Sequence, residues 1–228
     1  MFRPIRFRPI TLGIVWVSFV TYAFFLAPPN QDDVGSLIQH LASGKWDGIN
    51  PAIVALFNAM GIWPCIYAGM AMGDGHGQRA IAWPFVLGSF AFGAFSLLPY
   101  LVWRQPNPVQ PPQQSKLLRV LESRWLGVLI LLGSLFLVGY GLYAGDWGDF
   151  VWQWQNNRFI HVMGLDFCLL WLLIPTLLGD DMARRGTENP WFFVLVAVLP
   201  LIGAGLYLAL RPPVSVSKDV AMPTAPPP

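Results

Sequence analysis

The sequence predicts an all-α integral membrane protein folded as a six-helix transmembrane bundle, divisible into two three-helix inverted repeats. Three observations carry that prediction. Hydrophobic residues make up 55% of the 228 and charged ones only 11%, with a mean hydropathy of +0.51, so there are too few charges to cover a soluble globule. Six apolar runs are each long enough to cross a bilayer. A polar, proline-rich stretch in the middle of the chain leaves three such runs on either side.

The first run, Ile10 to Ala27, follows MFRPIRFRP and ends in FLAPPN, which lacks small residues at both positions of a signal-peptidase site; it reads as an anchored helix. In QDDVGSLIQHLASGKWDG, Val34, Leu37, Ile38 and Leu41 share one face at i, i+3, i+4 and i+7. That spacing predicts a helix lying in the membrane interface over about residues 32–42, with Trp46 as its anchor. The second and third runs, Ile49 to Met72 and Ala80 to Trp103, complete a first half spanning residues 1–103. RQPNPVQPPQQSK opens a linker over 104–123. The second half, 124–211, holds Trp125 to Ala144, Phe159 to Gly179 and Trp191 to Leu210, and the proline-rich tail 212–228 reads as disordered. Pro64, Pro84, Pro99, Pro175 and Pro200 fall inside these runs, where membranes tolerate proline; kinks are expected rather than breaks.

An offset of 107 residues aligns the halves. It brings Asn50 onto Asn157, Asp74 onto Asp181 and Phe85 onto Phe192, and superposes YLVWRQP from Tyr100 on YLALRPP from Tyr207. Three spans per copy would insert the second copy upside down. With the N-terminus inside, the basic residues then divide evenly between the two sides. The cluster Arg3, Arg6 and Arg8 before the first helix favours a cytoplasmic N-terminus.

Asp166 poses the main question. It lies about eight residues into an apolar helix, where an acidic side chain costs roughly 2.5–3.5 kcal/mol on insertion scales. His161 stands about 140° from it around the helix, so the two do not pair on one face. The helical neighbours of Asp166 are all apolar, which leaves a partner on another helix. Asn58, at similar depth in the second run, is the leading candidate, followed by Ser89, Ser96, Tyr140 and Tyr207. Asp166 and Asn58 then act either as interhelical glue, worth ~0.6–2 kcal/mol, or as a binding or proton-carrying site. His161, close to the helix start, either reaches headgroup water or serves as a pigment or haem ligand. GDGHGQR, with Asp74 and His76, reads as a tight turn rather than a metal site, and no metal is predicted. Cys65 and Cys168, lacking any paired spacing, read as buried free thiols. GxxxG at Gly69 and at Gly141 predicts close helix contacts.

The stretch LDFCLLWLLIPTLLGDDMARRG through PLIGAGLYLALRP resembles a small three-helix bacterial membrane domain of unknown function, found particularly in cyanobacteria. The pattern HxxxxD, an acidic turn and GxxxYLxxR is also similar to the plastid membrane proteins required for neoxanthin synthesis. In the first half the intramembrane Asp is replaced, with Asn58 the nearest polar residue. The resemblances imply a bacterial inner membrane or a thylakoid as the location and a link to carotenoids.

Composition excludes a nucleic-acid footprint, since the net charge is only +2 and its basic residues are scattered. No nucleophile–base pair, carboxylate pair or ligand cluster marks an enzyme. The expectation is a membrane scaffold or accessory protein that meets the lipid bilayer and binds an apolar partner: a lipid, a pigment or another membrane protein. No cofactor is predicted, with bound lipid or carotenoid left open. The alternatives are a small transporter with a midplane site between Asn58 and Asp166, and an enzyme acting on isoprenoid, carotenoid or lipid with His161, Asp166 and Asp181 as acid–base groups.

Overall fold

The computed structural model describes residues 9–29, 33–74, 81–105, 116–187 and 189–213. All regular structure among them is helical: α1 (Pro9–Thr21) running into a π-helical turn (Tyr22–Leu26), α2 (Val34–Ser43), α3 (Pro51–Asp74), α4 (Ala82–Trp103), α5 (Lys116–Leu121), α6 (Arg124–Ala144), α7 (Trp147–Asn156), α8 (Arg158–Leu173), α9 (Pro175–Arg184), α10 (Trp191–Val198) and α11 (Ile202–Leu210). Five stretches are long and apolar enough to cross a membrane: Pro9–Leu26, Pro51–Met72, Ala82–Trp103, Arg124–Ala144 and Arg158–Arg184. Ile14, Phe25, Leu129 and Phe136 stand exposed along them, a surface suited to lipid rather than water. Trp83, Trp103, Trp125 and Trp191 are exposed at helix ends, as an interfacial aromatic belt requires. The fold is that of a multi-pass membrane protein.

α3 forms the centre and packs on α4, α6 and α8. Its start is built by Asn50, whose side-chain oxygen accepts from the Ala52 N–H at 3.0 Å, with Pro51 in the first helical position. The Asn50 amide also donates to the Asp146 carbonyl (2.7 Å) and the Asp149 carboxylate (2.8 Å), fastening α3 to the head of α7. Trp63, Ile66, Tyr67 and Met70 are fully buried. Gly141 lets α6 approach α3 closely: a Cβ there would lie 2.9 Å from that of Ala55.

The third run of each half differs from its expectation. A straight helix of the 22 residues of α4 would extend about 33 Å, yet the Phe85 ring lies 6.0 Å from Tyr100 and 6.1 Å from Trp103, and the Ser96 hydroxyl donates to the Phe85 carbonyl at 2.9 Å. The chain folds back at Gly93 (φ 48°, ψ −128°). The sixth run does the same. It breaks around Pro200, with Leu201 at φ 62°, and Phe192 packs 5.0 Å from Tyr207. In both runs the two arms fold against each other and bring the ends of the run together. Hydropathy counts apolar length and cannot tell a straight helix from one that folds back, so the straight third helix expected in each half is corrected to a helical hairpin, and the kink expected at Pro200 is a break.

Contacts at the helix ends fix two faces. On one, Arg158 at the head of α8 donates to the Pro28 carbonyl at 2.8 Å, and Asn50 meets Asp146. On the other, Arg211 donates to the carbonyls of Gly69 and Leu121, both at 2.9 Å, and Arg104 pairs with Asp180.

Other expectations meet mixed outcomes. A helix forms over Val34–Ser43 with Leu41 buried, though Ile38 of the expected face is exposed. The segment between the fourth and fifth runs forms α7, started by Asp146 accepting from the Asp149 N–H at 3.0 Å. The linker contributes α5. Cys65 is half-buried and Cys168 exposed, so neither is a buried thiol. The linker core, the tail from 214, the arginines of the N-terminus and His76 lie outside the described residues.

Candidate functional site

α8 begins at Asn157, whose side chain accepts from the N–H groups of Phe159 (3.0 Å) and Ile160 (3.3 Å), the same start that Asn50 gives α3. This fixes the rotation of α8. Asp166 faces inward, 6% exposed.

The partner of Asp166 is backbone, not Asn58. The break at Gly93 makes Ala94 the head of a new half-helix, and its N–H donates to Asp166 Oδ1 at 2.7 Å. Asp166 thus caps the returning arm of the first hairpin from another helix, at the end where a helix dipole favours an anion. Oδ2 has no hydrogen-bond partner among the described residues. Only glycine fits beneath it, since a Cβ on Gly93 would lie 1.7 Å from Oδ2 and the positive φ is unfavourable to other residues. Asn58 is half-buried and turns back to donate to the Val54 carbonyl of its own helix at 2.8 Å. Ser89 and Ser96 likewise donate to carbonyls within α4, and Tyr140 stacks on Phe136.

Beside the hairpin tip lies a cavity of about 480 Å³. It is walled by the π-helical turn (Ala23, Phe24), α3 (Phe57, Met60, Gly61), α4 (Phe90, Phe92, Gly93) and α8 (Phe159, Val162, Met163), with Asp166 the one acidic lining residue among the described residues and Arg158 on its wall. Val34 of α2 reaches it too. Such a volume suits a ligand of drug-like size, roughly 300–1,000 Å³. The π-helical turn is a second irregularity facing this space, and such turns recur at functional sites.

His161 does not reach headgroup water. It is buried between Tyr22 and Trp154, with Nε2 at 2.9 Å from the Tyr22 hydroxyl, Nδ1 at 2.8 Å from the Trp154 carbonyl, and the Trp154 ring centred 4.2 Å away. A carbonyl only accepts, so Nδ1 carries a proton, and in the neutral ring Nε2 accepts from Tyr22. Both ring nitrogens are engaged. His161 pins the π-helical turn to α8 and so supports the cavity wall.

Asp181 and Tyr207 come together elsewhere, at the opposite face. Asp181 accepts from Tyr207 (2.6 Å), Arg184 (2.8 Å), Arg185 (3.0 Å) and Arg211 (3.2 Å). It lies 15 residues beyond Asp166, about 22 Å along the helix. The cluster ties the end of the second hairpin to the end of α9, and Arg184 adds a bond to the Met70 carbonyl at 3.0 Å. At Arg185 burial disfavours the charge, but the adjoining carboxylate outweighs it and raises the pKa above the ordinary arginine value. A carboxylate saturated by three guanidinium groups and a phenol is a fastening, not an acid–base group. Among the described residues no three His, Cys, Asp or Glu side chains gather to hold a metal ion.

The sequence reading missed Gly93 and the Ala94 N–H. The available signal was a glycine at the centre of FAFGAF, which a helix has no need of. No family model matches the chain, and neither the curated proteins nor the solved structures contain a significant match to it.

Proposed function

We propose that the chain is a membrane accessory protein that binds a mostly apolar small molecule of lipid or pigment size in the cavity beside the first hairpin tip. One observation carries this: an aromatic and aliphatic cavity of about 480 Å³ holds a single buried carboxylate at a break in the membrane-embedded backbone. A hairpin that needed only to pack would close such a space, because interiors are close-packed. We also propose that the N-terminus is cytoplasmic. We propose too that the two folded-back runs are re-entrant, which leaves four crossings and two halves that point the same way; Lys45 and Arg158 then lie on one side, and among the described residues Arg104, Lys116, Arg119, Arg124, Arg184, Arg185 and Arg211 lie on the other, with the N-terminus. That bias satisfies the positive-inside rule, which the six-crossing layout left evenly divided.

Gly61 offers the test. It borders the cavity, and a Cβ there meets nothing within 4 Å, so Gly61→Leu adds bulk at the cavity wall with no clash at its Cβ. The purified protein in mild detergent should bind an environment-sensitive lipophilic dye, and Gly61→Leu should reduce that binding about tenfold while keeping the melting temperature. Unchanged dye binding in Gly61→Leu would remove the cavity from the proposal.

A further inference from the structure

Resting on the reading of the cavity as a binding site, we infer that its ligand is a lipophilic amine, an apolar body bearing one protonated nitrogen, held by Asp166 Oδ2. The carboxylate is positioned before any ligand arrives, because Oδ1 is fixed by the Ala94 N–H at 2.7 Å. Oδ2 is left without a partner among the described residues, on a residue more than nine-tenths buried. An oxygen in that position needs a donor. Water satisfies it poorly where the surrounding wall is phenylalanine and methionine.

Two features select an ammonium over a hydroxyl. Charge matters first: a buried carboxylate is best compensated by a group that brings both a proton donor and a positive charge, since charge-assisted bonds are roughly twice as strong as neutral ones. The walls matter second. Phe57, Phe90, Phe92 and Phe159 all border the space, and aromatic faces attract a cation more strongly than a neutral hydroxyl. A carboxylate among aromatic rings is the donor set that recognises alkylammonium groups. Arg158 does not neutralise the site, for it stands about 12 Å back along α8. Its guanidinium is committed to the carbonyls of Pro28 (2.8 Å) and Ala27 (3.4 Å).

Competition against the lipophilic dye tests this in the full-length protein, with dodecylamine, dodecanol and dodecanoic acid as probes sharing one chain. In the parent, the amine should displace the dye at about tenfold lower concentration than the alcohol, with the acid weakest. In Asp166→Asn, whose amide oxygen still accepts from Ala94, the amine should lose that advantage while the alcohol keeps its own value. Equal displacement by amine and alcohol in the parent overturns the amine, and so does a preference that survives in Asp166→Asn. The parent comparison stands even if the variant folds poorly. Failure of the ligand class is separable from failure of the site: if the probes compete equally and Gly61→Leu still blocks the dye, the cavity binds apolar molecules of another class. If Gly61→Leu leaves dye binding intact, the cavity reading falls and the amine with it.

Discussion

The two hairpin tips occupy corresponding places in the two halves and solve the same problem differently. Both break a helix inside an apolar run, where a freed N–H needs a partner from the protein itself. In the second tip the backbone satisfies itself: the Ile202 N–H donates to the Pro200 carbonyl at 2.7 Å and the Gly203 N–H to the Leu199 carbonyl at 2.8 Å. In the first, the chain turns at Gly93 and the Ala94 N–H reaches across to Asp166. The 107-residue offset sets Ala59 where the other half has Asp166, and Ala59 and Leu201 border a cavity of about 180 Å³ whose lining holds no ionisable side chain. The tip that closes on itself needs no acid. The tip with Asp166 opposite it borders the larger of the two cavities, and the proposed site rests on that contrast.

The comparison breaks outright if the hairpins are crossings. In a background with Cys65→Ser and Cys168→Ser, single cysteines at Lys45, Gln105 and Lys116, none of them buried, report sidedness to an impermeant thiol reagent on sealed vesicles of known orientation. Four crossings with returning hairpins set Gln105 and Lys116 on one side and Lys45 on the other. The expected result is all-or-none. Labelling of Lys45→Cys and Gln105→Cys from the same side would restore the six-crossing layout and dissolve the equivalence of the tips.

Much of the helical layout is legible in the sequence because its determinants are local. Apolar length marks the runs, Asn50 and Asn157 start the second crossing of each half, and YLxxRxP recurs where each hairpin returns. The direction of the third runs is not legible, since it depends on whether Gly93 and Pro200 fold the chain back, which is settled by what lies opposite them. The site suffers from the same limit. A search among side chains for the partner of Asp166 names Asn58, whereas the donor is a backbone N–H that exists only after the helix has broken. Likewise His161 acquires its role from Tyr22 at the start of the π-helical turn, 139 residues earlier. Asp181 with Tyr207, joined across 26 residues, is closer to what sequence reasoning can reach, and both were candidates, though for chemistry rather than fastening.

Gly93→Ala sharpens the comparison from the backbone side. The added Cβ would stand 1.7 Å from Asp166 Oδ2 on a residue at φ 48°, so the tip must shift or strain. A residue held in such a region costs about 1–3 kcal/mol, and detergent melts should show a loss in that range together with weaker dye binding. Ala204→Gly, three residues past the second tip, enlarges no clash and should leave the dye unaffected. Equal loss of dye binding in both variants would mean that the tips are not distinct.

The smallest effect, and the most discriminating, is at Asp166 itself. Asp166→Asn preserves an acceptor for the Ala94 N–H, so the open tip should stand with less than about 1 kcal/mol of destabilisation. Asp166→Leu removes the acceptor that the Ala94 N–H uses, a loss of about 1–3 kcal/mol if that N–H is left unpaired. Thermal melts of the two variants in the same detergent give the difference directly. If Leu melts with the parent, the first tip closes on itself as the second does, and Asp166 is no cap. If Asn and Leu both melt well below the parent, the charge rather than the acceptor holds the tip, and the carboxylate is structural at both oxygens with none left for a ligand. The expected order, parent close to Asn and both above Leu, leaves Oδ2 free to serve the cavity.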